Sequence, residues 1–360
     1  MGGKRVWVPV AGGVAAAVIA VSVGVAVGWH MTADSPAIVA PVPATITGSS
    51  SPPSSSTTAP PAKPAPAKPA PVKPAPVKPA TPGPAAGTPE SLPGLPAGWA
   101  GTSVSLDEGS LNRRYLVVRP AATSKTPLPV VVLLHGRIVT PEFEEQRTGL
   151  PAVTGPAILV YPAGYENSWN AGACCAGAQS ANVDDVGFIT DVVHQVLATQ
   201  SDADHKRVFL IGFSNGGKMA FRLTCADPTL FDGVAVVAAM PVSDCAKPPV
   251  LPWAQVAMDN DPLFTLTPDQ PPKSVNGYVE RSTEGEVGAL LATNGCQGGG
   301  QATAQGTLTA TRWASCSSGA PVEFALYQGN IHEWEAGDAT TPSAQQVIWN
   351  FLQSIPEAHR

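Results

Sequence analysis

Five residues, Gly212-Phe213-Ser214-Asn215-Gly216, join a strand-like run to a helix-like one, and that junction constrains the fold more than any other stretch of the 360-residue chain. Before it, Val208-Phe209-Leu210-Ile211 is short, apolar and partly β-branched, the pattern of a buried strand. After it, Gly217-Lys218-Met219-Ala220-Phe221-Arg222-Leu223 is mostly helix-forming. A strand that turns this sharply into a helix holds the middle serine in a strained backbone, and a Cβ on either flanking glycine would clash. The turn lifts the Ser214 hydroxyl above the sheet edge. It also sets the Asn215 amide at a helix N-terminus, facing any negative charge that develops there. A bare G-x-S-x-G recurs by chance; with strand, glycines and helix in register it reads as the nucleophile turn of an α/β sheet.

The N-terminal quarter has a different character. Lys4-Arg5 precedes an uncharged apolar run from Val6 to Trp29, about 36 Å long as a helix and enough to cross a bilayer core. Residues 1–31 are expected to be a signal peptide or a retained membrane anchor, with the remainder exported. Ala26-Val27-Gly28 offers a small-x-small cleavage site. Residues 32–96 are expected to be a disordered Pro/Ala/Lys-rich linker. The stretch 36–96 holds 19 of the chain's 39 prolines, no aromatic falls between Trp29 and Trp99, and lysines recur at 63, 68, 73 and 78. Such a composition cannot bury a core, and proline presets an extended polyproline II spacer.

Residues 97–360 suit one large α/β domain. Net charge is −6, and the six basic and two acidic residues before position 97 leave about ten net negative charges on this part. There is no basic stripe, so nucleic acid is not an expected partner. All six cysteines (174, 175, 225, 245, 296 and 316) fall here, and export favours disulfides. Cys296 and Cys316 are the expected pair: the first follows a helix predicted from the capping box Thr283-x-x-Glu286 to Gly295, and the second ends the strand-like run from Gly306 to Trp313. Adjacent Cys174 and Cys175 are not expected to bond to each other, given the strain of that ring. No C-x-x-C or histidine spacing supports zinc.

A serine hydroxyl needs a base, and the base needs an orienting acid. In an α/β sheet of this kind the order is Ser, then Asp or Glu, then His, on loops after later strands. Downstream of Ser214 only His332 and the penultimate His359 are available. His332 follows the strand-like Val322–Tyr327 and precedes a helix expected at 344–352, which makes it the candidate base. The strand Ala254–Met258 runs into Asp259-Asn260-Asp261-Pro262. Either aspartate could reach the imidazole; Asp261 is preferred because the proline fixes the turn after it. Val130–Leu134 reads as a central parallel strand that ends in His135-Gly136-Arg137, where Gly136 permits a turn aiming the Arg137 amide inward. His135 reads as a structural residue of that loop. His194 and His205 read as ordinary helix and loop residues.

Assembled in this way, residues 99–354 resemble the extracellular polyhydroxybutyrate depolymerase and feruloyl esterase group of α/β-hydrolases, related to carbohydrate esterase family one. The resemblance rests on Leu134-His135-Gly136, Tyr161-Pro162-Ala163-Gly164, Ser168-Trp169-Asn170 through Cys174-Cys175, Asn182–Phe188, the elbow itself, the Asp-Pro turn and Gly329-x-x-His332-x-Trp334. It implies a Ser214, Asp261, His332 triad, oxyanion amides from Asn215 and Arg137, and Trp169 and Trp334 as lining of the substrate pocket, unless they pack in the core. Asp184 and Asp185 read as structural, capping the helix that follows. The chain departs from the group in carrying Arg137 where a cysteine or aromatic is usual, Ala257-Met258-Asp259 in place of His-Gly-Thr, and a shortened loop at 138–151.

The expected protein is therefore an α/β-hydrolase with a mostly parallel sheet and an antiparallel start at Thr102–Asp107 and Arg114–Arg119. Its expected activity is serine carboxylic-ester hydrolysis outside the membrane, on a small aryl or acyl ester, an acylated sugar or a hydroxyalkanoate oligomer. It is expected to act as a monomer, without metal or cofactor. An envelope acyltransferase using the same triad and a catalytically silent surface binding protein are the alternatives.

Overall fold

The computed structural model describes residues 87–246 and 248–356. The expected membrane or signal segment, nearly all of the expected linker, and His359 lie outside the described residues. Among the described residues no helix is long and apolar enough to cross a membrane.

The chain begins with β1 (Thr88–Glu90), β2 (Trp99–Glu108), β3 (Leu111–Pro120) and β4 (Leu128–Leu134). Helices α1 (Pro141–Thr148) and α2 (Leu150–Thr154) lead to β5 (Ile158–Pro162), α3 (Ala176–Ser180) and α4 (Asp185–Thr199). Next come β6 (Ala203–Phe213), α5 (Asn215–Ala226), β7 (Gly233–Val237), β8 (Trp253–Met258), and the short strands β9 (Ser274–Val275) and β10 (Tyr278–Val279). Helix α6 (Thr283–Asn294), β11 (Gln301–Gln305), β12 (Leu308–Trp313), β13 (Val322–Tyr327) and α7 (Ala344–Gln353) complete it.

Eleven strands form one sheet in the order β1-β2-β3-β5-β4-β6-β7-β8-β13-β12-β11. Strands β5, β4, β6, β7, β8 and β13 are mutually parallel and central, and antiparallel strands flank them on both sides. Parallel strands covered on both faces read as continuous apolar runs, and β4 is the plain case. Val130, Val132 and Leu134 pack with Phe188 and Val192 of α4 and Met219 and Leu223 of α5. Val131 and Leu133 point to the opposite face, packing with Leu150 of α2 and Ile348 and Phe351 of α7. A period-two alternation thus feeds two cores from one strand. The result is the α/β-hydrolase arrangement, with the expected antiparallel start at β2 and β3.

Several details depart from the sequence reading. The sheet begins at Thr88, paired with Ser103, and Leu92 is buried, so the folded unit starts inside the segment expected to be linker. The loop at 138–151 holds α1 and the start of α2; Thr140 caps α1 by accepting from the Phe143 amide, and Pro141 occupies its first turn. Helix α6 is capped one residue earlier than the box predicts. Ser282 Oγ accepts from the Gly285 amide, while the Thr283 hydroxyl donates to the Thr265 carbonyl. Gly295 ends α6 in the left-handed region, at φ 65°.

Cys296 pairs with Cys316 as expected, and Cys225 pairs with Cys245. Cys174 pairs with Cys175, against expectation. The peptide bond between them is cis, and their Cα atoms lie 3.1 Å apart.

The Cys296–Cys316 bridge joins the end of α6 to the loop before β13 across a sequence separation of 20. Chain-entropy arguments give such a loop about 3 kcal/mol. Replacing both cysteines with serine is expected to lower the urea-unfolding free energy by that amount, with the m-value rising as the denatured chain expands.

Candidate active site

The turn between β6 and α5 is held by backbone contact. Ser214 lies at φ 53° and ψ −117°, a left-handed conformation costly for a residue with a Cβ. Its amide donates to the Val237 carbonyl at 2.9 Å, and its carbonyl accepts from the Lys218 amide at 3.0 Å. A Cβ on Gly216 would stand 2.1 Å from the Leu134 carbonyl oxygen, one on Gly212 2.5 Å from that of Gly216, and one on Gly217 2.6 Å from Ala239 Cβ. Three glycines are required because helix, strand and neighbouring loop share one space. A Cβ on Gly136 would meet Ser214 Cβ at 3.6 Å, so the loop carrying Arg137 passes beside the serine.

Three side chains from three loops meet here. His332 Nε2 is 2.8 Å from Ser214 Oγ, and His332 Nδ1 is 2.7 Å from Asp261 Oδ2. The other oxygen, Asp261 Oδ1, accepts from the Leu263 amide at 2.9 Å. The side chains of His332 and Asp261 are 18% and 4% exposed, so the carboxylate is shielded while the imidazole edge stays reachable. Phe213 and Phe264 flank the imidazole at 5.2 and 5.6 Å. A carboxylate accepting from Nδ1 leaves the Nε2 lone pair facing the hydroxyl, the arrangement that can take its proton. Asp259, the other sequence candidate, accepts instead from the Gly329 amide at 2.7 Å and braces the loop before His332.

A shell of buried polar groups supports the turn. The Asn215 side chain accepts from the Trp169 amide at 2.7 Å and donates to the Trp169 carbonyl at 3.0 Å. His135 Nε2 accepts from the Gly164 amide at 2.9 Å, which fixes the proton on Nδ1, where it donates to the Gly136 carbonyl at 2.7 Å. Burial pushes the His135 imidazole down to about 4, so it is neutral at ordinary pH. Asp184 caps α4 through the Gly187 amide. Asp185 accepts from the Asn170 amide at 2.6 Å and pairs with Arg113 at 2.7 Å, and Arg222 donates to the Asn170 carbonyl. The loops bearing Arg137 and Trp169 are therefore tied to the helix that starts at Asn215.

Of the two roles open to Trp169, the structure fits core packing: it is fully buried, its indole N–H donates to the His135 carbonyl, and its ring packs against His135. Trp334 is 8% exposed. Its N–H donates to Glu144 Oε1 at 3.0 Å, and its ring stacks on Phe213 at 5.5 Å. It backs the site from behind the elbow. The Arg137 side chain is exposed. The sequence reading missed Phe264 beside His332, and Arg147, whose guanidinium lies 4.6 Å from the Phe213 ring centre. It also missed the buried ion pair of Lys218 with Glu280. The available signal was a lysine four residues after Ser214, on a helix turn otherwise made of small and apolar residues.

His135 makes a pH prediction. Its folded-state value of about 4 lies below the unfolded value near 6.5, so the unfolded chain binds the extra proton between the two. The stability this neutral imidazole supplies is full above about pH 6.5 and is lost as pH falls toward 4, by roughly 3 kcal/mol. Buried Glu145, pushed up to about 7 by burial, slopes the other way. The measurement is therefore the difference between wild type and His135→Gln in denaturant unfolding at pH 7.5 and pH 4.5. The destabilisation caused by the substitution is expected to shrink at the lower pH.

The chain is 34% identical over 141 residues to "Putative esterase NocK" of Nocardia uniformis subsp. tsuyamanensis, covering 38% of this chain and 40% of that protein. It is 28% identical to "Feruloyl esterase C" of Emericella nidulans, covering 56% of this chain and 66% of that one. The chain thus spans less than two thirds of the length of each of these two relatives. It is 27% identical to "Feruloyl esterase D" of Neurospora crassa, covering 70% and 85%. Among solved structures, "Acetyl xylan esterase from Aspergillus awamori" aligns at a TM-score of 0.46 and 14% identity over 70% of this chain and 98% of that chain. Residues 110–336, which include the Ser214, Asp261 and His332 cluster and its supporting loops, match the family model Esterase ("Putative esterase"), and the chain belongs to that family.

Proposed function

We propose that this chain is an exported serine hydrolase of carboxylic esters. The observation that carries the reading is the unbroken hydrogen-bond line from Asp261 Oδ2 through His332 to Ser214 Oγ, at 2.7 and 2.8 Å. Ser214 Oγ attacks the ester carbonyl carbon while His332 Nε2 takes its proton. Asp261 holds the imidazole in the tautomer that can do so and stabilises the imidazolium. The amides of Asn215, at the N-terminus of α5, and of Arg137 hold the tetrahedral oxyanion. The carbon–oxygen bond to the leaving alcohol breaks as His332 returns the proton to it. A water, deprotonated by the same nitrogen, then cleaves the acyl-serine, releasing the acid and restoring Ser214.

The residues beside the proposed machinery favour an apolar acyl or aryl group on the ester. Ile138 follows Arg137, Leu263 lies two residues after Asp261 and Ile331 precedes His332, and these side chains are 78%, 52% and 55% exposed. Phe143 on α1 is 55% exposed. The relatives' names point the same way, since a feruloyl group is aromatic. The apolar run within residues 1–31 supports export as a signal or anchor, and the proline-rich composition that follows it suits a spacer ahead of the folded unit, which begins near Thr88.

Activity toward p-nitrophenyl esters of increasing chain length and toward feruloyl and acetyl sugars tests the reading. Ser214→Ala is expected to lower kcat by at least about 10⁴-fold, and Asp261→Asn by about the same factor. Asp259→Asn is expected to stay within roughly tenfold of wild type, since it loses only a loop brace. Activity retained in Ser214→Ala would overturn the mechanism, and a larger loss in Asp259→Asn than in Asp261→Asn would reassign the acid.

A further inference from the structure

Asp261 lies near the start of a segment, residues 259–282, that leads from the end of β8 to the N-terminus of α6 and contains the β9–β10 hairpin. Its base is closed by backbone bonds, from the Thr283 amide to the Thr265 carbonyl at 2.8 Å and from the Glu284 amide to the Leu266 carbonyl at 3.0 Å. Near its far end, the Glu280 amide donates to the Lys273 carbonyl at 3.0 Å. The Glu280 carboxylate faces the nucleophile helix, where it meets Lys218 Nζ in an ion pair with side chains 2% and 8% exposed. Lys218 is in the first turn of α5, with its amide on the Ser214 carbonyl. Its Nζ also lies 4.8 Å from the ring centre of Phe264, and Phe264 is the ring that flanks His332. Burial pushes the Lys218 amine down, while the charges of Glu280 and Asp261 push it back up, which places both carboxylates within its field.

A buried pair of this kind is weak as a source of stability, because removing two ions from water costs about as much as their attraction returns. Its distinctive property is directional: one nitrogen and one carboxylate with few other partners fix where two segments meet.

We propose that Lys218 and Glu280 are positioning residues of the esterase site. Their ion pair locks the Asp261-bearing segment onto the nucleophile helix, so that Asp261 and Phe264 hold the His332 imidazole in line with Ser214 Oγ. The proposal rests on the Ser214–His332–Asp261 reading given above.

The test uses the full chain, with kcat expressed per Ser214 site titrated by an organophosphonate, so that misfolded molecules do not count. Lys218→Met and Glu280→Gln are each expected to lose about 10- to 100-fold in kcat, the effect of displacing a catalytic group by about an ångström. KM is expected to stay within about twofold, because the bound ester is not touched. The exchanged pair Lys218→Glu with Glu280→Lys is expected to recover most of that loss, which a merely structural role of the two side chains would not require. Where Gln at position 280 prevents folding, Glu280→Asp replaces it: the charge is kept, the reach is shortened, and the same loss in kcat at unchanged KM is expected. Wild-type kcat per titrated site in the single variants, or an exchanged pair no better than the singles, overturns the proposal. Failure of the underlying reading looks different: Ser214→Ala would retain activity, or the organophosphonate would not label Ser214.

Discussion

Everything around the candidate site depends on one close backbone approach. Gly216 lies so near the end of β4 that a Cβ on it would fall 2.1 Å from the Leu134 carbonyl oxygen and 2.7 Å from that of His135. Helix α5 therefore starts directly over the point where β4 gives way to its loop. That contact brings the helix N-terminus, Ser214 and the turn at Gly136 into one small volume. Withdrawing α5 by the width of a methyl group would separate the Asn215 amide from the Arg137 amide. The donors proposed for the oxyanion would then no longer converge. The left-handed backbone of Ser214 follows from the same geometry, since the chain must reverse within one residue to stay under the helix.

Charge is handled sparingly near that volume. His135, beside the proposed oxyanion donors, is kept neutral by burial, although its bond to the Gly136 carbonyl pulls the other way. Arg113 lies within cation–π distance of Phe188 and Trp169 but is matched by Asp185. Arg147 is likewise matched by Glu144. Developing negative charge on a substrate would thus meet peptide dipoles and a helix terminus rather than the guanidinium of Arg113 or Arg147. Fixed dipoles stabilise a transition state without attracting a permanent counter-anion into the site.

The central fold was legible because its strands are short apolar runs bounded by turn residues, and parallel strands buried on both faces cannot look otherwise. The elbow was legible because steric exclusion at the two flanking glycines, Gly212 and Gly216, leaves a mark at fixed positions. What escaped the reading was set by tertiary contact. Strand β11, Gln301–Gln305, is exposed along its whole length and carries no hydrophobic period to detect. Nothing local distinguishes Trp169 as a core residue from Trp169 as a pocket residue, because the His135 carbonyl that accepts its N–H is 34 positions away. The division of roles between Asp259 and Asp261 is similar: two aspartates in one turn differ only in which segment of another loop stands opposite each.

That opposition also indicates how the three parts of the proposed triad are joined. Beyond the last paired residues of β8 and β13, Met258 and Tyr327, the two chains continue to hold each other. The Asp259 amide bonds to the Tyr327 carbonyl, the Gly329 amide to the Asp259 carboxylate, and the Asn260 amide to the Asn330 carbonyl. The loop bearing Asp261 and the loop bearing His332 are thus an extension of one parallel ladder, and they would move as one body. The backbone link from that body to the elbow is less direct and runs through β7, where the Ser214 amide bonds to the Val237 carbonyl and the Ala238 amide to the Val256 carbonyl. The direct contacts there are made by side chains, Phe213 against His332 and Lys218 against Phe264 and Glu280. Direct backbone bonding therefore secures the distance between acid and base, whereas the distance between base and nucleophile is set through β7, side-chain packing and one buried ion pair. Of the two separations the second tolerates less error, because the proton and the attacking oxygen both depend on it.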